Sequence, residues 1–368
     1  MWIADKITYR GKDTYIKAYK GNELVWEKTT PPTPVLDKYI TFSVTNGVTT
    51  SIKTNTNPIN SGTLYYSYDN NTWSRWSSYI RDLEIGTAGK ETLYVRGKCS
   101  SGISDSSNKV TFLSTNANAL LKIGGNIMGL IDYENPPMVI PNEKCFVELF
   151  KGLNIQTTSK NLLPAITLKN NCYESLFRNC TSIVDVPELP ATTLAPYCYY
   201  HMFDGCTSLV TAPALPATTL VSNCYNSMFY DCKSLVNAPV LPATTLADRC
   251  YLWMFYNCTS LVTAPALPAT TLANSCYYCM FFNCKTLVNA PVLPATTLVS
   301  NCYENMFYNC KNLQNITMLA TYALDNALDD FASGVNSTGT LTVANGMASE
   351  FPRALSGLPN DWVIVEAS

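Results

Sequence analysis

A 26-residue period runs through nearly half of this chain and limits its fold to a stacked repeat. Leu-Pro pairs place Pro at 164, 190, 216, 242, 268 and 294. Two cysteine series keep the same interval: 172, 198, 224, 250, 276 and 302, then 180, 206, 232, 258, 284 and 310. The unit reads C-x-S-L-V-x-A-P-x-L-P-A-T-T-L-x-x-x-C-Y-x-x-M-F-x-x. A unit this short cannot enclose a core, so each must bury its apolar face on its neighbours.

Each unit divides into two patterns. Leu220, Cys224, Met228 and Cys232 are four apart, with Tyr225 and Phe229 alongside. That spacing predicts a helix from Thr219 to about Asp231, capped by Thr218 or Thr219. Ser208–Ala212 reads as a short strand that Pro213 cuts to three or four paired residues. The Met-Phe pairs, such as Met228-Phe229 and Met254-Phe255, are assigned to the core. The expectation is therefore an α/β leucine-rich-repeat solenoid.

The LPATTL…CYxxMFxxCxSL unit resembles the BspA-like leucine-rich repeats of gut Bacteroidetes or their phages. Five close copies span 189–319, and a divergent copy spans 140–163. The tail GVNSTGTLTVANGM…SGLPNDWVIVEAS resembles that family's closing segment. The resemblance implies binding or adhesion and names no ligand.

Upstream, TYIKAYK and ELVWEK flank Gly21-Asn22, which predicts a hairpin. This opening is similar to short N-terminal modules of phage tail and virion proteins. Residues 35–115 hold about seven short alternating segments and one cysteine, Cys99, which suggests a small immunoglobulin- or fibronectin-like β-sandwich without a disulfide. The expected organisation is multidomain: a β-hairpin attachment module (1–28), a Pro/Thr linker (29–34), the β-sandwich (35–115), the solenoid with its N-terminal cap (116–319) and a C-terminal capping segment (320–368).

Composition narrows the function. Charged residues are 14% of the chain, against roughly 25% in ordinary globular proteins. Lys plus Arg number 25 and Asp plus Glu 27, so no basic excess points to nucleic acid. No apolar run suits a signal peptide or a membrane span, so the chain is expected to be made in the cytoplasm. His201 is the single histidine. With no phosphate loop, no G-x-S-x-G and no recurring carboxylate pair, the reading is non-enzymatic, without catalytic residues, metal or cofactor. The 15 cysteines are read as reduced, buried, small apolar side chains, because an eight-residue helical separation of about 12 Å is too long for a disulfide. Cys276-x-x-Cys279 is not read as a redox motif, since Cys279 falls in a variable column assigned to the surface. His201, in the same column, is read as a solvated helix residue.

Two sets of residues are candidates for binding. On the predicted helix, Asn223, Asn226 and Tyr230 point away from the apolar stripe. Their columns read Glu174, Tyr200, Asn226, Leu252, Tyr278, Glu304 and Arg178, Asp204, Tyr230, Tyr256, Phe282, Tyr308. The ligand-binding set is Tyr200, His201, Tyr230, Trp253, Tyr256, Tyr278, Phe282 and Tyr308, an outward aromatic row suited to sugar rings or a neutral protein surface. The alternative is a strand-side column on a concave face: Thr211, Asn237, Thr263 and Asn289, flanked by Asp185 and Asn315. The expected function is a phage virion protein, fibre-like, that recognises the bacterial host surface. A bacterial cell-surface adhesin for host proteins or glycans is the alternative. Expected partners are a bacterial cell-surface glycan or protein, other virion proteins through residues 1–28, and further copies of the chain, with no nucleic acid and no membrane insertion.

Overall fold

The computed structural model describes residues 6–10, 15–20, 23–29, 37–55, 62–77, 82–105, 108–324 and 326–367, the first three segments by their backbone alone. Residues 1–37 form one compact unit and 38–368 another. In the first, β1 (Lys6–Arg10), β2 (Tyr15–Lys20) and β3 (Glu23–Thr29) make an antiparallel meander. Strands β2 and β3 are the hairpin arms, with Lys20 paired to Glu23. The turn residues 21 and 22 and the linker 29–34, apart from Thr29, lie outside the described residues.

The second unit opens with β4 (Ile40–Val44), β5 (Thr50–Thr54), β6 (Thr63–Ser67), β7 (Ser74–Trp76), β8 (Leu83–Ile85), β9 (Thr92–Lys98), β10 (Phe112–Ser114) and β11 (Leu121–Gly125). With β12 (Ile155–Thr158) they build two sheets, ordered β10-β5-β8 and β12-β11-β4-β9-β6-β7. Alternation sends Ile40 and Phe42 inward from one sheet and Ile52 and Phe112 inward from the other. The Phe42 and Phe112 rings meet across the gap at 5.0 Å. Strand β11 pairs antiparallel with β4 and parallel with β12, so the larger sheet runs directly into the first coil of the repeats. Phe150 of that coil stacks on Phe112 at 6.0 Å, which makes the two cores continuous.

From residue 140 the chain is a solenoid of stacked coils, but it is not an α/β leucine-rich-repeat solenoid. The molecule is almost entirely β and turn: the described residues contain one four-residue α-helix, α1 (Arg353–Ser356), and two 3-10 turns, Ile127–Leu130 and Lys160–Leu162. The segment 219–231, expected as a helix, is a chain of tight turns. Asn223, Ser227 and Asp231 take left-handed backbone angles, with φ of 58°, 55° and 56°. A left-handed residue at every fourth position cannot belong to a right-handed helix.

The hydrogen bonds show what replaces it. Cys224, Asn226, Met228, Tyr230 and Cys232 donate their N–H to the carbonyl three residues back. Tyr225, Ser227, Phe229 and Asp231 instead donate to Cys250, Leu252, Met254 and Tyr256 of the following coil. Successive N–H groups thus alternate between closing a turn and joining two coils. An α-helix spends every such donor within itself and leaves none for stacking.

The Leu-Pro half is thinner than its strand reading. Single parallel bridges join Thr211 to Asn237, Asn237 to Thr263, Thr219 to Thr245 and Thr245 to Thr271. Pro213, Pro239 and Pro265 supply no N–H to lengthen them. Regular parallel strands appear in about three turns at the C-terminal end: β13 (Asn289–Leu293), β15 (Asn315–Met318), β17 (Gly339–Val343) and β18 (Trp362–Glu366) in one sheet, and β14 (Thr297–Leu298) with β16 (Tyr322–Ala323) in another.

Inside the solenoid each repeat position becomes a column. Tyr199, Tyr225, Tyr251 and Tyr277 stack at 5.7–5.9 Å, and Phe203, Phe229, Phe255 and Phe281 at 5.7 Å. All fifteen cysteines are free and buried, Cys279 included, which corrects its placement on the surface. The second cysteine series donates S–H backwards: Cys232 to the Phe203 carbonyl and Cys258 to that of Phe229, both at 3.1 Å.

Candidate functional site

The turn geometry decides which residues face out. In each coil the Cys, Met and Phe columns and the Tyr column at 199, 225, 251 and 277 fill the interior, and the residues before the left-handed Asp231, Asn257, Asn283 and Asn309 are only partly buried. Tyr230, Tyr256, Phe282 and Tyr308 therefore form an outward row, half-buried because each ring covers the next. Successive ring centres lie 4.5, 4.5 and 4.6 Å apart and the planes are parallel within 8°. That spacing is close to the roughly 4.8 Å between hydrogen-bonded chains. The backbone ladder sets the stack, and its faces are occupied except at the ends.

Beside this row run left-handed residues. Asn257 donates its amide to Asp231, Asn283 to Asn257, and Asn309 to Asn283 at 2.7 Å. Asn, Asp and Gly tolerate this backbone region best, which is why they fill the column. On the row's other flank Trp253 meets Tyr278 edge-on at 6.3 Å, over the buried thiol of Cys279.

A groove of about 650 Å³ follows the row, lined by Arg178, Asn179, His201, Asp204, Tyr230, Asp231, Trp253, Tyr256, Tyr278, Cys279, Phe282 and Asn305. It brings together six of the eight ligand-binding candidates. Tyr308 is the last ring of the stack, and Tyr200 packs against Tyr197 at 5.5 Å and His201 at 4.1 Å. Partial burial, with the charges of Asp231 and Asp204 nearby, pushes the Tyr230 hydroxyl up to about 12. Burial also raises Tyr256, and it raises Tyr278 to about 12, so these phenols stay protonated at neutral pH.

Several outward assignments need correction. Asn223, Asn226 and Leu252 are buried, and the two asparagines bond to each other, Asn226 donating its amide to the Asn223 side-chain oxygen at 2.9 Å. His201 is not a solvated helix residue. Its side chain is 15% exposed, and its Nδ1 lies 2.8 Å from Asp204 Oδ2. Arg178 Nε reaches the same oxygen at 2.8 Å. The Arg178 contact is an ion-pair approach rather than an aligned hydrogen bond, and His201 Nδ1 likewise has no aligned hydrogen-bond partner. Asp204 and its neighbour Gly205 were missed as site residues. The signal was the repeat comparison itself, where Asp-Gly stands in place of the Tyr-Asp and Tyr-Asn of the next two coils.

Thr211, Asn237, Thr263 and Asn289 lie on a separate wall, exposed and bridged coil to coil through their backbones. At its C-terminal end Asn315 donates to Asn289 at 2.8 Å. Among the described residues no group of three or more His, Cys, Asp or Glu side chains is placed to hold a metal, and no helix is long and apolar enough to cross a membrane.

No family model, curated protein or solved structure matches this chain.

Proposed function

We propose that this protein is a non-enzymatic binding protein, a fibre-type component of a phage virion that recognises a glycan or protein on the bacterial host surface. The observation that carries the reading is the outward aromatic row and the groove along it. Stacked ring edges and a line of side-chain amides give a large, hydrogen-bonding contact surface with few charges, the chemistry that recognition surfaces favour. Such a wall suits neutral hydroxyl-bearing ligands better than polyanions. Fifteen unpaired thiols fit assembly in a reducing compartment. The N-terminal meander is the element we assign to contacts with other virion proteins.

The test applies the full chain to intact bacterial cells and to a glycan array. Tyr230→Ser, Tyr256→Ser and Tyr308→Ser combined should abolish binding while the circular-dichroism spectrum and cooperative melting persist. Binding that survives this change would move the contact surface to the Thr211–Asn289 wall. Absence of the chain from purified particles by mass spectrometry, with its recovery from the bacterial envelope, would replace the virion assignment with a cell-surface adhesin.

A further inference from the structure

The aromatic row ends abruptly at Tyr230. One coil earlier its place is taken by Asp204, and the neighbouring amide column is interrupted at Gly205. Gly205 holds φ at 73°, and a Cβ there would meet the Asn179 side-chain oxygen, so Asn179 leans over the missing side chain. The coil is thus cut back in two adjacent columns, with the backbone ladder intact: Phe203 and Gly205 still donate to Met228 and Tyr230. The result is a recess in the groove wall beside the Tyr230 ring, lined by Arg178, Asn179, His201 and Asp204.

Its walls differ from the rest of the groove. One side is the Tyr230 ring, and among the described residues no ring stacks on the face opposite Tyr256. The floor is the Asp204 carboxylate, whose side chain is only 7% exposed. Arg178 and Asn179 close the far side, and His201 closes the flank. The buried Arg178 Nε and His201 Nδ1 have no aligned hydrogen-bond partner, an arrangement that is costly unless something completes it.

We propose that this recess holds a single neutral pyranose ring, the terminal residue of the glycan that lies along the groove. This rests on the glycan-binding reading above. One face of a pyranose is a patch of C–H groups, which suits the open face of Tyr230. Its equatorial hydroxyls both donate and accept, matching a carboxylate beside two nitrogens that have no aligned partner. An aromatic side chain from a protein would fit the ring face but leave every polar wall group unpaired. A sugar acid would set its charge against Asp204. The closed Arg178 side makes the bound residue a chain end, with the remainder running towards Tyr308.

Asp204→Tyr tests this, since the next coils already carry a stacked ring at that position; because it also removes the carboxylate beside Arg178 and His201, cooperative melting of the variant is measured alongside binding. The probes are an array of neutral oligosaccharides and, in saturation-transfer NMR, the methyl glycosides of glucose, galactose, mannose and N-acetylglucosamine. Full-length protein should bind glycans sharing one terminal residue, and the matching methyl glycoside should show transfer from aromatic protons. Asp204→Tyr should abolish that transfer and weaken the oligosaccharide at least tenfold, and Asp204→Asn should weaken both less. Unchanged glycan binding by Asp204→Tyr overturns the recess and leaves the groove standing. Absence of glycan binding by the unmodified protein overturns both.

Discussion

At the scale of single residues, the solenoid depends on groups that are uncharged or tolerate unusual backbone angles. Asn257, Asn283 and Asn309 sit where φ is positive, and they use that position to bond one coil to the next. Trp253 occupies the same backbone region at φ 56°, a conformation that costs an L-residue roughly 1–2 kcal/mol. The ladder hydrogen bonds on both sides impose it. The buried thiols carry a pH dependence. Burial raises Cys172 and Cys250 from the ordinary 9.0 to about 12. Between those values the folded chain holds protons that the unfolded chain has released, so stability is complete below about pH 8 and declines as pH climbs towards 12. Denaturant midpoints measured at pH 7, 9 and 10.5 should fall steadily, and native protein should resist iodoacetamide at pH 8 until unfolded. Ready alkylation of the folded chain would contradict this burial.

At the scale of the element, the apolar pattern was legible and the backbone was not. Cys224, Met228 and Cys232 were rightly read as one buried stripe, because spacing by four places side chains on one side of an α-helix. It does the same on a row of turns that repeats every four residues, so polarity alone does not separate the two. The distinguishing mark was the Asn, Asp or Gly at 179, 205, 231, 257, 283 and 309, residues that favour positive φ and end helices. The outward aromatic column was legible because it is read relative to the stripe, and the stripe survives the change of backbone. The Asn223 and Asn226 assignments failed because angles around a helix axis have no meaning on a turn ladder. The core column is testable: Phe255 is fully buried between Phe229 and Phe281. Phe255→Ala should cost about 3–5 kcal/mol in equilibrium unfolding, through the cavity it leaves. A loss below about 1 kcal/mol would mean that the stack does not exist.

At the scale of the whole molecule, each coil bonds to the coils on either side, and the inter-coil backbone N–H groups of the turn ladder, such as those of Tyr225, Ser227, Phe229 and Asp231, point to carbonyls of the next coil. Removing residues 224–249, one full period, joins coils that already present matching donors and acceptors. The shortened chain should fold cooperatively with a lower midpoint, as scanning calorimetry would show, because stability sums over neighbouring interfaces. Removing 24 residues instead should abolish the transition, since every column would be out of line. The same arithmetic reaches the gene. Near-identical units invite unequal recombination, and each event that keeps the 26-residue frame adds or deletes one rung of the outward wall. Related chains would then differ in reach by whole steps of roughly 4.8 Å. The outward wall would then lengthen or shorten without the redesign of a single side chain.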